Sequence, residues 1–382
     1  MPRIAVIGYG HWGPNLVRNF GRVAGSRVSA ICDLDPGKLE KVRAHSSNLH
    51  LTTNYLEILE KRWADAVAIA TYASAHYAIA RDCLEAGLQV FVEKPMCMSE
   101  REAEELVDLA RARKRTLMVG HLLKYHPAIR YLKHYLDTGK LGEPLYIYSH
   151  RLNLGEVRKE ENAMWCLAPH DIAVVGYLLG QQPYEVCAVG ESYLRYPIHD
   201  AVFLTLRYPA RLMAHIHVSW LDPHKVRRMT VVGSRQMAVF DDMEPTEKLR
   251  IYDKGVDFPN GDYDSPDAAL SLRVGDIYIP KLDHTEPLYK ECEHFVECIR
   301  RHREPESSGS EGLDVVRVLE AAQKSLEKGG VPVPVNGVAP PQAEPVARPT
   351  GLNHMNTPRA GKRKKALKRP VAADASEARR ET

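Results

Sequence analysis

Residues 4–13 have the sequence Ile4-Ala5-Val6-Ile7-Gly8-Tyr9-Gly10-His11-Trp12-Gly13, an apolar run followed at once by a glycine-rich turn. The apolar run predicts a buried strand, and the stretch that begins at Pro14 predicts a helix. Glycines spaced GxGxxG between a strand and a helix are typical of a dinucleotide-binding turn. Gly8 would make the tight turn, Gly10 would let the backbone approach a pyrophosphate, and Gly13 would let the helix pack on the strand.

An acidic residue completes this pattern at the end of the next apolar run. That run ends at Cys32-Asp33, and Asp33 lies 20 positions after Gly13. A carboxylate there accepts hydrogen bonds from the adenosine ribose hydroxyls. It would also repel a 2′-phosphate, and the following residues, Leu34-Asp35-Pro36, supply no arginine. The sequence therefore predicts NAD as the cofactor in preference to NADP.

The rest of the chain predicts two folded domains of different class. Over residues 1–122, apolar runs alternate with helix-length amphipathic stretches, which is typical of the parallel sheet of an α/β Rossmann domain. Over residues 123–335, six strand-like runs follow one another with short turns, which predicts an α+β domain built on a large, mostly antiparallel sheet. The helices predicted in this second region are Asp171–Leu179, Leu288–Arg301 and Leu313–Lys328.

The charge of the chain is concentrated at its end. Lys and Arg number 52 against 49 Asp and Glu, a net +3, but residues 336–382 alone hold ten basic and four acidic residues. The other 335 residues are therefore slightly acidic, and no nucleic-acid surface is expected on the folded body. The tail combines six prolines with basic runs and lacks apolar periodicity. We expect a disordered, solvated tail, in preference to one that contacts nucleic acid.

Two further observations bear on the cellular location. The chain has no apolar run of about 18 residues, and strand-like sequence follows directly on Met1-Pro2-Arg3, so neither a membrane span nor a secretory signal is expected. The seven cysteines include no CxxC pair. We expect them to be reduced thiols in a cytoplasmic protein.

Two more motifs carry the chemistry. Glu93-Lys94-Pro95 follows a buried strand at the sheet edge where ligands bind in open α/β folds. A lysine there can donate to a substrate hydroxyl or move a proton. Ala168-Pro169-His170-Asp171 lies in the second domain. Together with the turn at Gly8–Gly13, these motifs resemble those of the Gfo/Idh/MocA family of oxidoreductases, and the resemblance extends over about residues 1–335.

The resemblance implies an active site between the two domains, with Lys94 and His170 as the catalytic pair. Hydride would pass from a secondary alcohol to the nicotinamide while the hydroxyl proton leaves through His170 or Lys94. The family pattern Asp-x-x-x-His places Cys166 at the aspartate position, and a neutral thiol cannot charge-balance an imidazole as a carboxylate does. Asp171 is expected to cap its helix or to complement the helix dipole.

Cofactor contacts are expected along the carboxyl edge of the first sheet. The resemblance of Ala70-Thr71-Tyr72 to a loop near the nicotinamide adds Thr71 and His76, although His76 equally fits a helix cap. No metal site is predicted, because His121 and His126 have no cysteine or carboxylate set beside them. The predicted cofactor-binding residues are Gly8, Tyr9, Gly10, His11, Trp12, Gly13, Asp33, Thr71, His76, Glu93 and Lys94.

Substrate contacts are predicted around the same cleft. Arg151 and Arg158 are suited to a diphosphate or carboxylate and Asn153 to a sugar hydroxyl or acetamido group, although each arginine equally fits a salt bridge. The predicted substrate-binding residues are Lys94, Tyr125, Arg151, Asn153, Arg158, Cys166 and His170.

The sequence looks most similar to the nucleotide-sugar branch of the family. That resemblance implies oxidation of a UDP-N-acetylhexosamine or its uronic acid, of the 3-dehydrogenase type, in surface-polysaccharide biosynthesis. Two alternatives remain open: a dehydrogenase of a free polyol, inositol or sugar, and a non-catalytic NAD-responsive regulator, against which the presence of both Lys94 and His170 argues. An open sheet face must be covered, and because members of the family cover it by pairing, the resemblance implies a homo-oligomer, a dimer or tetramer.

Overall fold

The computed structural model describes residues 1–44, 48–155, 157–257 and 271–340. Its first sheet has six parallel strands among these residues, hydrogen-bonded in the order β3-β2-β1-β4-β5-β6. The strands are β1 (Arg3–Ile7), β2 (Arg27–Cys32), β3 (His50–Thr52), β4 (Ala66–Ile69), β5 (Gln89–Glu93) and β6 (Leu117–Gly120). The connecting helices are α1 (Gly13–Arg22), α2 (Pro36–Arg43), α3 (Leu56–Glu60), α4 (Ala73–Glu85) and α5 (Glu100–Arg113).

From β1 the sheet extends through β2 to β3 on one side, and from β4 it extends through β5 to β6 on the other. The direction of strand order therefore reverses between β1 and β4. Ligands bind at such a switch point in open α/β sheets. The predicted parallel sheet is confirmed, with one strand more than the apolar runs indicated. Strand β3 has only three residues, of which Thr52 alone is buried, so it carries no apolar run of its own.

The second sheet has nine strands among the described residues, in the order β14-β13-β12-β11-β7-β10-β9-β8-β15. Its neighbours pair antiparallel, except that β7 and β10 run parallel. The strands are β7 (Pro144–Leu152), β8 (Glu185–Glu191), β9 (Ala201–Arg207), β10 (Met213–Ser219), β11 (Val226–Gly233), β12 (Met237–Asp241), β13 (Leu249–Asp257), β14 (Ser271–Tyr278) and β15 (Val333–Pro334). The predicted α+β class is confirmed, and β13, β14 and β15 are additions to the six predicted strands.

One face of this second sheet is covered by helices. The remaining helices are α6 (Pro127–Asp137), α7 (Ala163–Leu179), α8 (Pro287–Arg301) and α9 (Gly309–Glu327). Helix α7 packs on β7, β9 and β10, and α9 packs on β8. Alternate residues such as Ile147, Leu204 and Ile216 are fully buried beneath these helices, as the two-residue period of a strand requires.

The last two helices return to the first sheet. Helix α8 packs on α1, and α9 packs on α5. Phe20, Phe91 and Phe295 meet edge to face at centroid distances of 5.7–6.0 Å, joining α1, β5 and α8. The chain thus passes from the first sheet to the second at a 3₁₀ turn, Leu122–Tyr125, and then packs back against the first. The end of the chain therefore packs against the helices of the first sheet at two places, α1 and α5.

Helix α7 begins eight residues earlier than predicted. The predicted helix began at Asp171, whereas α7 has Asn162 as its N-cap and contains Pro169 in its interior. An internal proline costs about 3 kcal/mol. Burial of most of the helix offsets this cost, because Ala163, Met164 and Ile172 are at most 2% exposed.

Two further predictions concern the C-terminal tail and a membrane span. The predicted tail, 336–382, lies outside the described residues except for 336–340. Among the helices that the described residues form, none is long and apolar enough to cross a membrane.

Candidate active site

The glycine-rich turn has the shape of a phosphate-binding turn. Gly8 has φ +96°, and a Cβ on it would lie 2.5 Å from the Ala70 carbonyl oxygen. A Cβ on Gly13 would lie 2.2 Å from the Gly8 carbonyl oxygen, whereas a Cβ on Gly10 would meet nothing within 4 Å. Gly8 and Gly13 therefore allow close packing, and Gly10 faces open space. Helix α1 begins at Gly13 with its free N–H groups at that space, so these residues fit the pyrophosphate of a dinucleotide.

Asp33 lies beside the turn, at the end of β2. Its carboxylate accepts hydrogen bonds from the backbone N–H of Tyr9 at 2.6 Å and of Asp35 at 2.9 Å. The Lys38 ammonium lies 3.2 Å from both carboxylate oxygens. Burial acts against the charge, but the Asp35 and Tyr9 N–H groups and Lys38 outweigh it and lower the pKa of Asp33. Asp33 is thus a carboxylate at neutral pH, as recognition of ribose hydroxyls requires.

Lys94 joins the two sheets. It follows β5, and the Lys94–Pro95 peptide bond is cis. Its Nζ donates to the backbone carbonyl of Cys166 on α7 at 2.9 Å. This hydrogen bond holds the Lys94 ammonium one helical turn from His170.

His76 lies behind the Lys94 loop. Its Nδ1 lies 2.8 Å from the Pro95 carbonyl oxygen and its Nε2 3.2 Å from the Thr71 carbonyl oxygen. The side chain is 1% exposed, and burial lowers the pKa of His76. It lies in the first turns of α4, whose N-cap is Tyr72, so the helix-cap alternative is wrong. Because both ring nitrogens face backbone carbonyls, the geometry favours a role for His76 in positioning the two loops over the predicted direct cofactor contact.

The surroundings of His170 favour the uncharged form of its imidazole. Burial, together with the charges of Lys94 and Arg151, lowers the pKa of His170 well below its ordinary value. Its buried Nδ1 has no hydrogen-bond partner among the described residues. At neutral pH the imidazole is therefore uncharged and can accept a proton.

Cys166 lies one turn before His170 on α7. Burial raises the pKa of its thiol, against the opposing effect of the Lys94 charge. The thiol is therefore neutral at physiological pH, and the position that resembles the family's aspartate carries no charge.

Asp171 and Arg151 form a buried ion pair between α7 and β7. Arg151 Nε donates to Asp171 at 2.6 Å, and the Ser149 hydroxyl donates to the same carboxylate at 2.5 Å. Asp171 is ninth in α7, so its predicted role as a cap or dipole partner is wrong. The guanidinium of Arg151 is occupied by Asp171, which favours its structural alternative over substrate binding.

Three other predicted substrate residues lie in different environments. Tyr125 is 1% exposed and its hydroxyl pairs with Ser307 at 3.0 Å, which favours a structural role over the predicted substrate contact. Arg158 donates to Glu161 at 2.8 Å on an exposed loop, yet its charge reaches the Cys166 thiol. Asn153 is half-buried at the end of β7. The last two remain candidates.

Three polar residues near the predicted site escaped prediction, of which Glu291 and His121 are buried and Lys38 is partly exposed. Glu291 of α8 is 0% exposed, and neither of its carboxylate oxygens has a partner among the described residues. Burial raises the pKa of Glu291 well above its ordinary value, and the nearby Glu93 raises it further. Burial also raises the pKa of Glu93 to about 7, although Lys94 and the Trp12 indole oppose this. The sequence feature that could have identified Glu291 is its position on the apolar stripe of α8, which is formed by Leu288, Cys292 and Phe295.

His121 is the second of these, at the end of β6. It is 1% exposed, and neither ring nitrogen has a partner among the residues described. Burial and the charges of Lys124 and Lys94 lower the pKa of His121 to about 3. Its proximity to Lys94 and His170 depends on the tertiary structure. The third residue, Lys38, is described above.

Comparisons with protein families agree with this geometry. Residues 2–121 match the model "Oxidoreductase family, NAD-binding Rossmann fold", and residues 129–239 match the model "GFO/IDH/MocA C-terminal domain". The chain belongs to the Gfo/Idh/MocA family. It is therefore an NAD-dependent oxidoreductase, which confirms the predicted cofactor and the predicted dehydrogenase class.

Individual Gfo/Idh/MocA members are similar over different lengths. UDP-N-acetylglucosamine 3-dehydrogenase of Acidithiobacillus ferrooxidans is 28% identical over 84% of this chain and 95% of its own. A solved structure of that enzyme has a TM-score of 0.71 at 25% identity, over 86% of this chain and 98% of that one. Inositol 2-dehydrogenase 1 of Saccharopolyspora erythraea is 29% identical over 48% of this chain and 56% of its own.

Proposed function

We propose that this oxidoreductase removes a hydride from a secondary alcohol carbon of a sugar ring, and that its substrate is a UDP-N-acetylhexosamine or the corresponding uronic acid. The observation that carries the proposal is the hydrogen bond from Lys94 Nζ to the Cys166 carbonyl at 2.9 Å. It holds a cationic donor from the first sheet beside an uncharged imidazole from the second. A hydroxyl bound between them meets both a donor and a base.

The two side chains divide the proton chemistry. NAD, when bound along the Gly8–Gly13 turn, supplies the hydride acceptor. Lys94 Nζ donates a hydrogen bond to the substrate hydroxyl oxygen and orients it. The uncharged imidazole of His170 takes the hydroxyl proton as the carbon–oxygen double bond forms. The alcohol loses one hydride and one proton in all, and the proton passes from His170 to solvent.

Two observations support a nucleotide sugar. The relative named for UDP-N-acetylglucosamine aligns with 84% of the chain, whereas the inositol dehydrogenase aligns with 48%. The loop that carries Arg158 also reaches helix α4 beside the first sheet, where Ser74 donates to Glu160 at 3.5 Å. Arg158 would contact a diphosphate or carboxylate there.

The inositol relatives favour a second candidate, a dehydrogenase of a free polyol. Such a substrate has no anionic group, so it would not need Arg158. The regulator alternative requires neither Lys94 nor His170 to act, and the presence of both residues argues against it.

We further propose a cytoplasmic homo-oligomer that serves surface-polysaccharide biosynthesis. The face of the second sheet opposite α7 and α9 exposes Tyr146, Phe203 and Met213, each at least 40% exposed. A second copy would cover these side chains, as sheet faces of this kind require.

Nicotinamide absorbance tests the function directly. The purified protein is mixed with NAD and, in separate reactions, with UDP-N-acetylhexosamines, their uronates, inositols and free sugars. We expect NADH to form with a UDP-sugar, and the His170→Ala variant to be slower by about 10²–10⁴-fold. Reduction by inositols alone would replace the proposed substrate with the polyol. NAD binding without reduction by any compound, and cellular function that survives His170→Ala, would favour the regulator.

A further inference from the structure

The Asp33 carboxylate is fully occupied by groups of the protein itself. Each of its oxygens accepts one backbone N–H, from Tyr9 or Asp35, and each also lies 3.2 Å from Lys38 Nζ. A carboxylate has about four lone-pair sites, two on each oxygen. No site is left for the two ribose hydroxyls that this carboxylate is placed to bind.

Only one of these partners can leave without rebuilding the turn. The donors of Tyr9 and Asp35 are backbone groups, fixed by the glycine-rich turn and by the start of α2. Lys38 is the third residue of α2, and its side chain is 40% exposed on a flexible four-carbon stem. A ribose diol therefore competes with Lys38 for Asp33, and binding of the diol moves the ammonium aside.

We propose that Lys38 is a specificity-determining residue for the cofactor: it opposes binding of the ribose diol to Asp33 and serves as the counter-ion for a 2′-phosphate. The ammonium that leaves Asp33 stays within reach of the ribose 2′ position, because its stem is anchored at the first turn of α2. There it has no charged partner in an NAD complex but pairs with a phosphate in an NADP complex. NAD remains the cofactor, and Lys38 limits how strongly NADP is excluded.

The inference concerns the adenosine end of the cofactor and does not depend on which sugar is oxidised. Equilibrium binding of NADH and NADPH, followed by cofactor fluorescence at low and high salt, tests it without substrate. The variants are Lys38→Met, Lys38→Arg, Asp33→Asn and the Asp33→Asn/Lys38→Met double variant. Lys41→Met, which removes an exposed lysine three residues further along α2, is the matched control.

We expect Lys38→Met to strengthen NADH binding severalfold and to weaken NADPH binding by about tenfold or more, the equivalent of one charge-assisted hydrogen bond. Lys38→Arg should keep NADPH binding, and Lys41→Met should match the wild type. Asp33→Asn should gain about tenfold in NADPH affinity, and the double variant should lose that gain. High salt should weaken NADPH binding only where Lys38 or Arg is present.

Two results would overturn the proposal. One is a Lys38→Met variant in which the ratio of NADH to NADPH affinity is unchanged. The other is an Asp33→Asn gain in NADPH affinity that survives in the double variant. Melting temperatures of all variants separate loss of binding from loss of folding, and if wild-type NADPH binding is too weak to measure, the comparison in the Asp33→Asn background decides.

Discussion

At the scale of single residues, the proposed chemistry depends on an uncharged His170 close to Lys94. Burial and the neighbouring cations lower the pKa of His170, and the thiol of Cys166 brings no negative charge to oppose them. A carboxylate at residue 166 would stabilise the imidazolium instead. The identity of this residue therefore sets the pH range in which the base is available.

Replacing Cys166 should shift the pH dependence of activity in a known direction. In the wild type the pKa of His170 lies well below 6.5. We therefore expect kcat/KM to be still high at pH 6.5 and to decline only at lower pH, where the imidazole becomes protonated. Cys166→Asp should move this decline to higher pH, because an opposite charge one helical turn away raises the pKa of the imidazole.

Cys166→Asn, which is polar but uncharged, is the control and should leave the acidic decline where it is. Measurement of kcat/KM against pH for the three proteins checks this. A Cys166→Asp profile identical to that of the wild type would mean that His170 is not the titrating base.

At the scale of secondary-structure elements, α7 and α8 each bury a carboxylate, and the two carboxylates are accommodated in different ways. Asp171 of α7 and Arg151 of β7 form an ion pair in which both side chains are less than a tenth exposed. Glu291 of α8 points into the interior without a partner in the described chain. The first arrangement satisfies its charges locally, whereas the second avoids charge by holding a proton.

Asp171→Ala should destabilise the protein by about 3–5 kcal/mol, because it leaves the Arg151 charge buried and unpaired. Arg158→Ala removes an arginine from an exposed pair with Glu161 and should change stability by less than about 1 kcal/mol. Denaturant unfolding of both variants makes the comparison. If Arg151 held the substrate instead, Asp171→Ala would raise KM and leave the unfolding midpoint unchanged.

Glu291 should make stability depend on pH. The folded pKa of Glu291 is raised above its ordinary value of 4.5, so its contribution is fully present below that pH and is lost as the pH rises towards the folded pKa. The Glu291→Gln variant has no carboxyl group to ionise, so it does not lose this stability as the pH rises. The melting temperature of the variant should exceed that of the wild type by more at about pH 8 than at about pH 5. Glu293→Gln, on the exposed side of α8, is the control, and an equal difference at both pH values would contradict the prediction.

At the scale of the whole molecule, the uncovered face of the second sheet carries rings on three neighbouring strands. Phe203 of β9 stacks on His217 of β10 at a centroid distance of 4.1 Å, and His217 meets His150 of β7 at 5.8 Å. Burial lowers the pKa of both His215 and His217, and the nearby His150 lowers them further. His215 and His217 are therefore uncharged at neutral pH, as burial in the proposed interface requires.

The proposed assembly should therefore weaken in acid. As the pH falls below 6.5, protonation of His215 and His217 would place cations in the interface, and the oligomer should dissociate. Phe203→Glu should dissociate it at neutral pH, because an unpaired charge is buried by association. Analytical ultracentrifugation across pH measures both effects, with Leu34→Glu, an exposed residue of the first sheet's loops, as the control. A monomer at neutral pH, or an oligomer that survives Phe203→Glu, would show that this face is not the interface.

The sequence by itself determined the two fold classes and the dinucleotide turn, and the resemblance of its motifs predicted the Lys94–His170 pair. These features depend on local patterns: apolar periodicity, glycine spacing, and residues at the ends of strands. The start of α7 at Ala163 depended on the burial of its first turns, which offsets the cost of Pro169 inside the helix. The pairing of Arg151 with Asp171 and the proximity of Glu93 to Glu291 were decided only by the tertiary structure. Each joins groups whose charge and burial depend on which elements pack together, and no spacing along the chain encodes that.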